Sequence, residues 1–489
     1  MSLYVSFLIV PAFFISLILL VGRQSKKTIE TLGTASGLLL LLASIYYHYD
    51  VISQNQSISD SMALTSLGFN FVLNADSIST IMLLLTSILS LGVYLLAPIL
   101  MDLKNKDKEF YILVLMTQMG LSATYLAYDL ISFYIAWEMV LIPAFLLIGI
   151  WGGQNRIKAT IKFFLYTLAG SLFMIVAFAI LMIHIQKVTG NSDFLFSTLY
   201  QNRMDYNGLY SPQGVVGLCL MFAFLIKAPL IPFHGWLKDT YLEAPTLVTA
   251  IIAGVMGKMG IYGLIRFMPI FPDFAKELAP IVMIVAAIGV VYGIFSAIQS
   301  KDIKETIAYV SLSHVSALVF GLFTLNQIGI SGTIMQMFSH GLLIAGLFIV
   351  IAFLEKKSLL QSKGLSKIAP VLAVSFFILT LGAIALPTTN GFVGESMIML
   401  GGFQTNKLET GIALLGSIFG AVVMLRVYSQ YMFGESSSTN SQNNDVQGSL
   451  KYYLIALSLI VMVTGIYPHS LFQGSEAFVN QTMSVLYSR

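Results

Sequence analysis

Residues 224–246 read FLIKAPLIPFHGWLKDTYLEAPT, and they interrupt an otherwise apolar chain. Lys227 ends a hydrophobic run that begins near Gly214, and Pro229, Pro232, His234, Trp236, Lys238, Asp239, Glu243 and Pro245 crowd in behind it. Proline removes a backbone donor and clashes with the preceding turn, so a helix through this stretch has to break just past Lys227. Whether that break belongs to a soluble segment or to a membrane span depends on its surroundings.

The surroundings are those of a membrane protein. Of 489 residues, 57% are hydrophobic and only 10% charged, against about 25% charged in soluble domains. Apolar runs of the roughly 20 residues that a 30 Å hydrocarbon core demands recur near 2–22, 31–49, 77–100, 110–128, 130–151, 160–184, 213–236, 246–268, 278–298, 305–325, 330–354, 370–402, 409–432 and 451–468. They predict an all-α polytopic membrane protein of about fourteen transmembrane helices, with helix 7 broken at the quoted stretch. The twelfth run is over-long and is cut by Pro387 and TTNG (388–391), which predicts a second broken helix. The two breaks lie about 160 residues apart, a spacing that fits two five-helix repeats, helices 4–8 and 9–13. An odd number of helices per repeat makes them inverted. The expected segments are 1–108 (helices 1–3), 109–270 and 271–433 (the two repeats), and 434–489 (a polar linker, helix 14 and a tail of little functional signature).

Charge sets the expected orientation. The loops after even-numbered helices, Arg266 and Lys276 included, hold six basic residues, and the odd-numbered loops and their flanks hold seventeen. By the positive-inside rule the odd loops are cytoplasmic, and both termini lie on the outer side of a bacterial plasma membrane. The first run has no basic residue before it and Arg23, Lys26 and Lys27 after it, which suits a retained spanning helix better than a secretory signal. A net charge of +3 with scattered basic residues argues against a nucleic-acid partner. A single cysteine, Cys219, excludes iron–sulfur clusters and structural zinc, and no two of the six histidines have metal-ligand spacing. No cofactor and no metal is expected on this chain, so associated redox chemistry has to reside on other chains.

Four ionisable residues fall well inside apolar runs: Glu138, Lys227, Lys258 and Glu395. Each costs about 2.5–3.5 kcal/mol at the centre of a spanning helix. Together that rivals the whole stability of a typical domain, about 5–15 kcal/mol. Two acids and two bases at mid-membrane depth make a proton or cation relay, and the alternative is buried pairs that add only packing specificity. A lysine in a low-dielectric site loses its preference for the charged form, and a carboxylate within about 4–6 Å restores it. Glu138 and Lys227 are therefore expected to form a switch, with water reaching Lys227 at the break. His314 and His340, flanked by Ser311, Ser313, Gln336 and Ser339, could link Lys258 to Glu395, or could be neutral histidines bonded between helices. His234 is a relay or a cap. GVMGK (254–258) lacks the Ser or Thr and the preceding strand of a phosphate loop; Gly254, Gly257, Gly260 and Gly263 instead allow another helix close to Lys258. The cluster Lys104 to Glu109 reads as a solvated loop.

Taken together, WEMVLIPAFLLIGIWGG (137–153), KAPLIPFHGWLKDTYLEAPT (227–246), AGVMGKMGIYGLIRF (253–267), SLSHVS (311–316), FSHGLLIAGLF (338–348) and LPTTNGFVGE (386–395) resemble the antiporter-like membrane subunits of respiratory complex I, most closely the subunit M (subunit 4) type. The resemblance spans about helix 3 to helix 13. It implies a proton-translocating part of a membrane arm, with a proton path through the bilayer midplane. Quinone, flavin and iron–sulfur clusters are then expected in partner subunits, and the partners are other antiporter-like subunits and a quinone-reducing peripheral arm. It further implies an input glutamate at Glu138, a broken-helix lysine at Lys227, a central lysine at Lys258, connecting histidines at His314 and His340, and a terminal glutamate at Glu395 where other relatives usually carry lysine. The chain departs from the family at Lys238, where a proline is usual, at Tyr241, where a histidine is usual, and after helix 11, where Glu355, Lys356 and Lys357 replace arginines. Two rival readings are a subunit of a sodium/proton antiporter or membrane-bound hydrogenase, and a passive membrane-arm scaffold.

Overall fold

The computed structural model describes residues 2–64, 69–435 and 445–487; residues 436–444, the middle of the expected polar linker, lie outside the described residues. Among the described residues, ten helices are each long and apolar enough to cross a membrane, and three shorter apolar helices, Val5–Leu20, Pro212–Lys227 and Pro370–Ala383, join them. With Asp107–Leu126 they make the fourteen crossings expected. Polar caps start several of them where the sequence supplies a short acceptor. Asp76 accepts from Ser79 N, Asp129 from Ser132 N, Asp302 from Glu305 N and Asn326 from Gly329 N, satisfying donors that a helix start leaves open.

Contacts between loops sort them onto two ends of the bundle. At one end Leu73 bridges Ala127, Asp129 bridges Leu195, Tyr200 Oη donates to Arg266 O, Arg203 Nη1 to Val485 O and Tyr487 Oη to Leu325 O. The Leu3 amide and the Ser2 hydroxyl both reach Asp60 there. These are the loops after helices 2, 4, 6, 8 and 10 and both chain ends. At the other end Arg23 meets Glu109, Trp151 Nε1 donates to Leu103 O, Gly153 N to Glu243 O, Lys304 Nζ to Ala244 O and Gly364 N to Phe433 O. Even loops bond even loops, and odd bond odd, as alternate crossings require.

Both expected breaks are present. Helix 7 stops at Lys227 and resumes as Phe233–Trp236 and Leu237–Glu243; helix 12 stops at Ala383 and resumes as Asn390–Thr405. The charges beside the breaks do not match. Lys227 ends the first half of helix 7, whereas Glu395 lies in the second half of helix 12. Each break is roofed by a glycine of another helix. A β-carbon on Gly260 would lie 2.4 Å from Phe224 O, and one on Gly465 would lie 2.3 Å from Thr389 C, so both helices sit closer to a broken backbone than any side chain allows.

A hairpin and a terminal helix are among the elements outside the expected fourteen helices. Ile58–Leu64 and Phe69–Ala75 pair as an antiparallel hairpin, β1 and β2, with Ile58 opposite Ala75. Phe69, Phe71, Leu73 and Ala75 alternate with polar or outward residues, which is the strand signal that a search for 20-residue runs passes over. The tail, expected to carry no signature, folds as a helix over Ser475–Tyr487, with Val479 and Leu486 buried.

Candidate relay of buried ionisable residues

Three of the four intramembrane charges sit at an irregularity in their own helix. Pro143 cannot donate to Met139, and helix 5 accordingly divides at Val140 into Leu130–Met139 and Leu141–Trp151, just past Glu138. Lys227 is the last residue before the helix 7 break. Helix 8 carries a π-helical turn over Ile252–Met256, closed by Gly257 N on Ile252 O at 3.1 Å, and Lys258 follows it directly. Such turns misalign the backbone ladder and free carbonyls. Lys258 Nζ takes Ala253 O at 2.5 Å and Tyr125 Oη takes Val255 O at 3.0 Å.

Helices 5 and 7, whose contact the sequence leaves open, do touch. The Trp137 and Phe224 rings are 5.6 Å apart, and Lys227 Nζ lies 5.4 Å from the Trp137 ring and 5.9 Å from that of Phe163. Glu138, next to Trp137, is the charged side chain that acts electrostatically on Lys227, yet among the described residues the two form no salt bridge and Glu138 Oε1 has no direct partner. The expectation of water at the break is corrected in one respect. Lys227 is only 2% exposed, and the break satisfies itself: Trp236 Nε1 donates to Ile226 O at 2.8 Å and Leu230 N to Leu225 O at 3.2 Å. An indole donor thus satisfies a freed carbonyl where water was expected within reach.

Lys258 is fully buried and is linked electrostatically to both His314 and His340, whose rings meet edge to face at 5.2 Å. Among the described residues, neither nitrogen of His340 has a direct partner, nor do Gln336 Oε1, Thr380 Oγ1 and the Asn390 amide. Buried polar atoms are nearly always bonded to protein or to ordered water. The open ones along helices 11 and 12 mark a polar track. It leads toward Glu395, 8% exposed, through Gly394, which presses on Gln336 so closely that a β-carbon would lie 2.6 Å from its Oε1. His234 stands apart. It faces exposed Tyr292 of helix 9, with Nε2 3.4 Å from the hydroxyl, and it joins neither Lys227 nor the Lys258 group.

The family departures are tied down. Lys238 pairs with Glu305 of helix 10 and lies 5.8 Å from the Tyr309 ring. Tyr241 is buried edge-on against Phe348, 5.8 Å between centroids, and Glu355 accepts from Thr246 Oγ1. Together with Lys162 on Asp239 at 2.7 Å, these hold the second half of helix 7 in place.

One buried ion pair escaped the sequence reading. Arg266, counted there as a loop charge, is 3% exposed in helix 8 and binds Asp76 through both terminal nitrogens, at 2.5 and 2.7 Å. Burial pulls the Asp76 carboxyl upward, but Arg266 and Ser79 outweigh it and hold the carboxyl below the ordinary range. The signal was available, since Arg266 is eight residues beyond Lys258 and so shares its helical face.

Comparison with known proteins agrees with this architecture. Residues 127–422 match the family model described as NADH:quinone oxidoreductase/Mrp antiporter, TM. NADH-quinone oxidoreductase subunit M of Rickettsia conorii is 33% identical over 477 residues, covering 94% of each chain. NADH-ubiquinone oxidoreductase chain 4 of Arabidopsis thaliana is 32% identical over 464 residues, covering 93% of this chain and 91% of its own. A chain of respiratory complex I from Thermus thermophilus superposes with a TM-score of 0.88 at 25% identity over all of both chains, and one of the Mrp complex from Dietzia sp. with 0.84 at 21% over 99% and 97%. The second of these speaks for the fold alone. With broken helices 7 and 12 and buried charges inside the matched residues, the chain belongs to the NADH:quinone oxidoreductase/Mrp antiporter family of membrane subunits.

Proposed function

We propose that this chain is the subunit M-type, proton-translocating member of the membrane arm of a complex I-type NADH-quinone oxidoreductase. In this reading quinone reduction in other subunits drives proton movement along Glu138, Lys227, Lys258, His314, His340 and Glu395. The observation that supports it is the set of buried polar atoms, without partners among the described residues, on the helices that carry His340 and Glu395, since a scaffold has no use for open donors and acceptors at that depth. Identity of 33% to a subunit M relative over 94% of both chains supports this assembly.

The roles follow from the geometry. Glu138 and Lys227 interact without touching, so a small movement at the Val140 division or at the helix 7 break changes how strongly the carboxylate holds the ammonium charged. Lys258 passes the change to His314 and His340, and Glu395 closes the line. Moving one charge across 100 mV costs about 2.3 kcal/mol, so the line has to be coupled to the redox step. Cys219 is the one cysteine of the chain and cannot hold an iron–sulfur cluster; in this reading flavin, iron–sulfur and quinone chemistry belong to partner subunits. The two five-helix repeats over 109–270 and 271–433, and a bacterial plasma membrane with both termini outside, complete the reading. Proton translocation per quinone reduced, measured in closed vesicles carrying the whole complex, tests it. Glu138→Gln and Lys227→Ala should lower the ratio; an unchanged ratio in both rejects the relay and leaves a scaffold.

A further inference from the structure

Tyr125, near the end of helix 4, holds helix 8 on both sides of Lys258. Its hydroxyl donates to Val255 O at 3.0 Å, inside the π turn that precedes the lysine. Its own carbonyl accepts from Tyr262 Oη at 2.6 Å, one turn beyond the lysine. The two rings meet edge to face at 5.0 Å, and both tyrosines are fully buried. Lys258 folds back onto the same π turn, where Nζ donates to Ala253 O at 2.5 Å.

A π turn spans one residue more than the α turn it replaces, and such turns are frequent at functional sites. Relaxed to a regular α-helix, it would rotate everything beyond it by one residue's step, about 100°, and shift it by about 1.5 Å. The neighbours of helix 8 hold it on either side of that turn. Upstream, Gly254 lies against helix 11: a β-carbon there would come within 3.1 Å of Gly341 O, and one on Gly341 within 2.7 Å of Gly254 O. Gly341 follows His340, so the same contact sets the height of a histidine that Lys258 acts on. Downstream, Arg266 binds the Asp76 carboxylate at the start of helix 3. Between these anchors, Val255 O takes a donor from another helix, and a buried carbonyl stripped of its donor costs free energy.

We propose that Tyr125 is a positioning residue for Lys258: its hydroxyl holds the π turn, Tyr262 seats it from the far side, and together they keep the lysine on Ala253 O and beside His314 and His340. The proposal rests on the reading of Lys258 as a proton-carrying residue. Neither tyrosine passes a proton; each acts through a backbone carbonyl. A regular α-helix satisfies its interior carbonyls from its own backbone. The phenol donor on Val255 O therefore supports the irregular turn, and without that donor the turn gains by relaxing. Lys258 would then leave the register in which it acts on both histidines.

The test removes one hydroxyl and then restores a donor in its place. In closed vesicles carrying the whole complex, protons translocated per quinone reduced are compared for Tyr125→Phe, Tyr125→4-aminophenylalanine and Lys258→Met; uncoupled quinone reduction reports assembly. Tyr125→Phe keeps the ring against Tyr262 and should lower the ratio toward that of Lys258→Met. The aromatic amine, which still offers an N–H to Val255 O, should restore it. A contact that serves stability alone would lower the unfolding temperature and leave the ratio unmoved. A normal ratio in Tyr125→Phe, with a lowered one in Lys258→Met, overturns the positioning role and leaves the relay standing. A lowered ratio that the amine does not restore overturns it too, because the donor is then not what matters. A normal ratio in Lys258→Met overturns the relay role of that residue and the proposal with it. If Tyr125→Phe does not assemble, Tyr262→Phe is read in its place: a lowered ratio supports the proposal, and a normal one overturns it.

Discussion

Gly260→Ala and Gly257→Ala differ by one turn of helix 8 and should behave oppositely. A β-carbon at position 260 would lie 2.4 Å from Phe224 O, 2.6 Å from Ala228 N and 2.7 Å from Ala228 Cβ, all at the helix 7 break. Two of these are backbone atoms that cannot rotate away. Reaching ordinary contact near 3.4 Å requires helix 8 to withdraw by about 1 Å, taking Lys258 and Tyr262 with it. At position 257 the nearest atoms, Ile252 O and the Tyr241 hydroxyl, are 3.9 Å away, and the added methyl makes only ordinary van der Waals contact. Both changes gain the same helix propensity, about 0.5–1 kcal/mol, so their difference isolates the clash, about 1–3 kcal/mol for overpacking. A displacement of that size costs on the order of 10²-fold in a reaction that depends on placement. Thermal unfolding of the purified complex and the proton-to-quinone ratio in vesicles measure the two consequences. Gly257→Ala should match or exceed the parent in both, and Gly260→Ala should fall in both. Equal behaviour of the two variants would refute the close approach of helix 8 to the break.

Trp236→Phe keeps the ring that faces Phe163 but removes the donor to Ile226 O, leaving a buried carbonyl open. It should cost about 1–3 kcal/mol, read as a lower unfolding temperature, and a shift within error would mean that water replaces the indole at the break. Lys238→Ala removes the pair with Glu305, but the lysine side chain is 42% exposed. Solvent screening limits the loss to below about 1 kcal/mol; a greater loss in the same melting experiment would show that the second half of helix 7 depends on that contact.

The sequence by itself determined that this chain crosses a membrane about fourteen times, because a 30 Å apolar layer demands runs of a length that no soluble pattern imitates. It also determined where helices 7 and 12 break, since proline acts on its own backbone whatever surrounds it. It singled out Glu138, Lys227, Lys258 and Glu395 because a charge in an apolar run is conspicuous without any partner being known. What these residues touch was decided by tertiary structure. That Trp236 closes the helix 7 break, that His314 meets His340, and that Lys227 lies among aromatic rings beside an unpaired Glu138 all depend on side chains brought together from different helices. The hairpin of 58–75 was legible only as a weak alternation, and the π turn before Lys258 has no local signature, because helix 8 adopts it among the neighbours that Gly254 and Gly260 admit. Arg266 shows the difference most plainly. Its charge placed it in a loop, and only the fold shows why it is buried: Asp76, 190 residues away in sequence, arrives opposite it at the start of helix 3, and the terminal helix covers both.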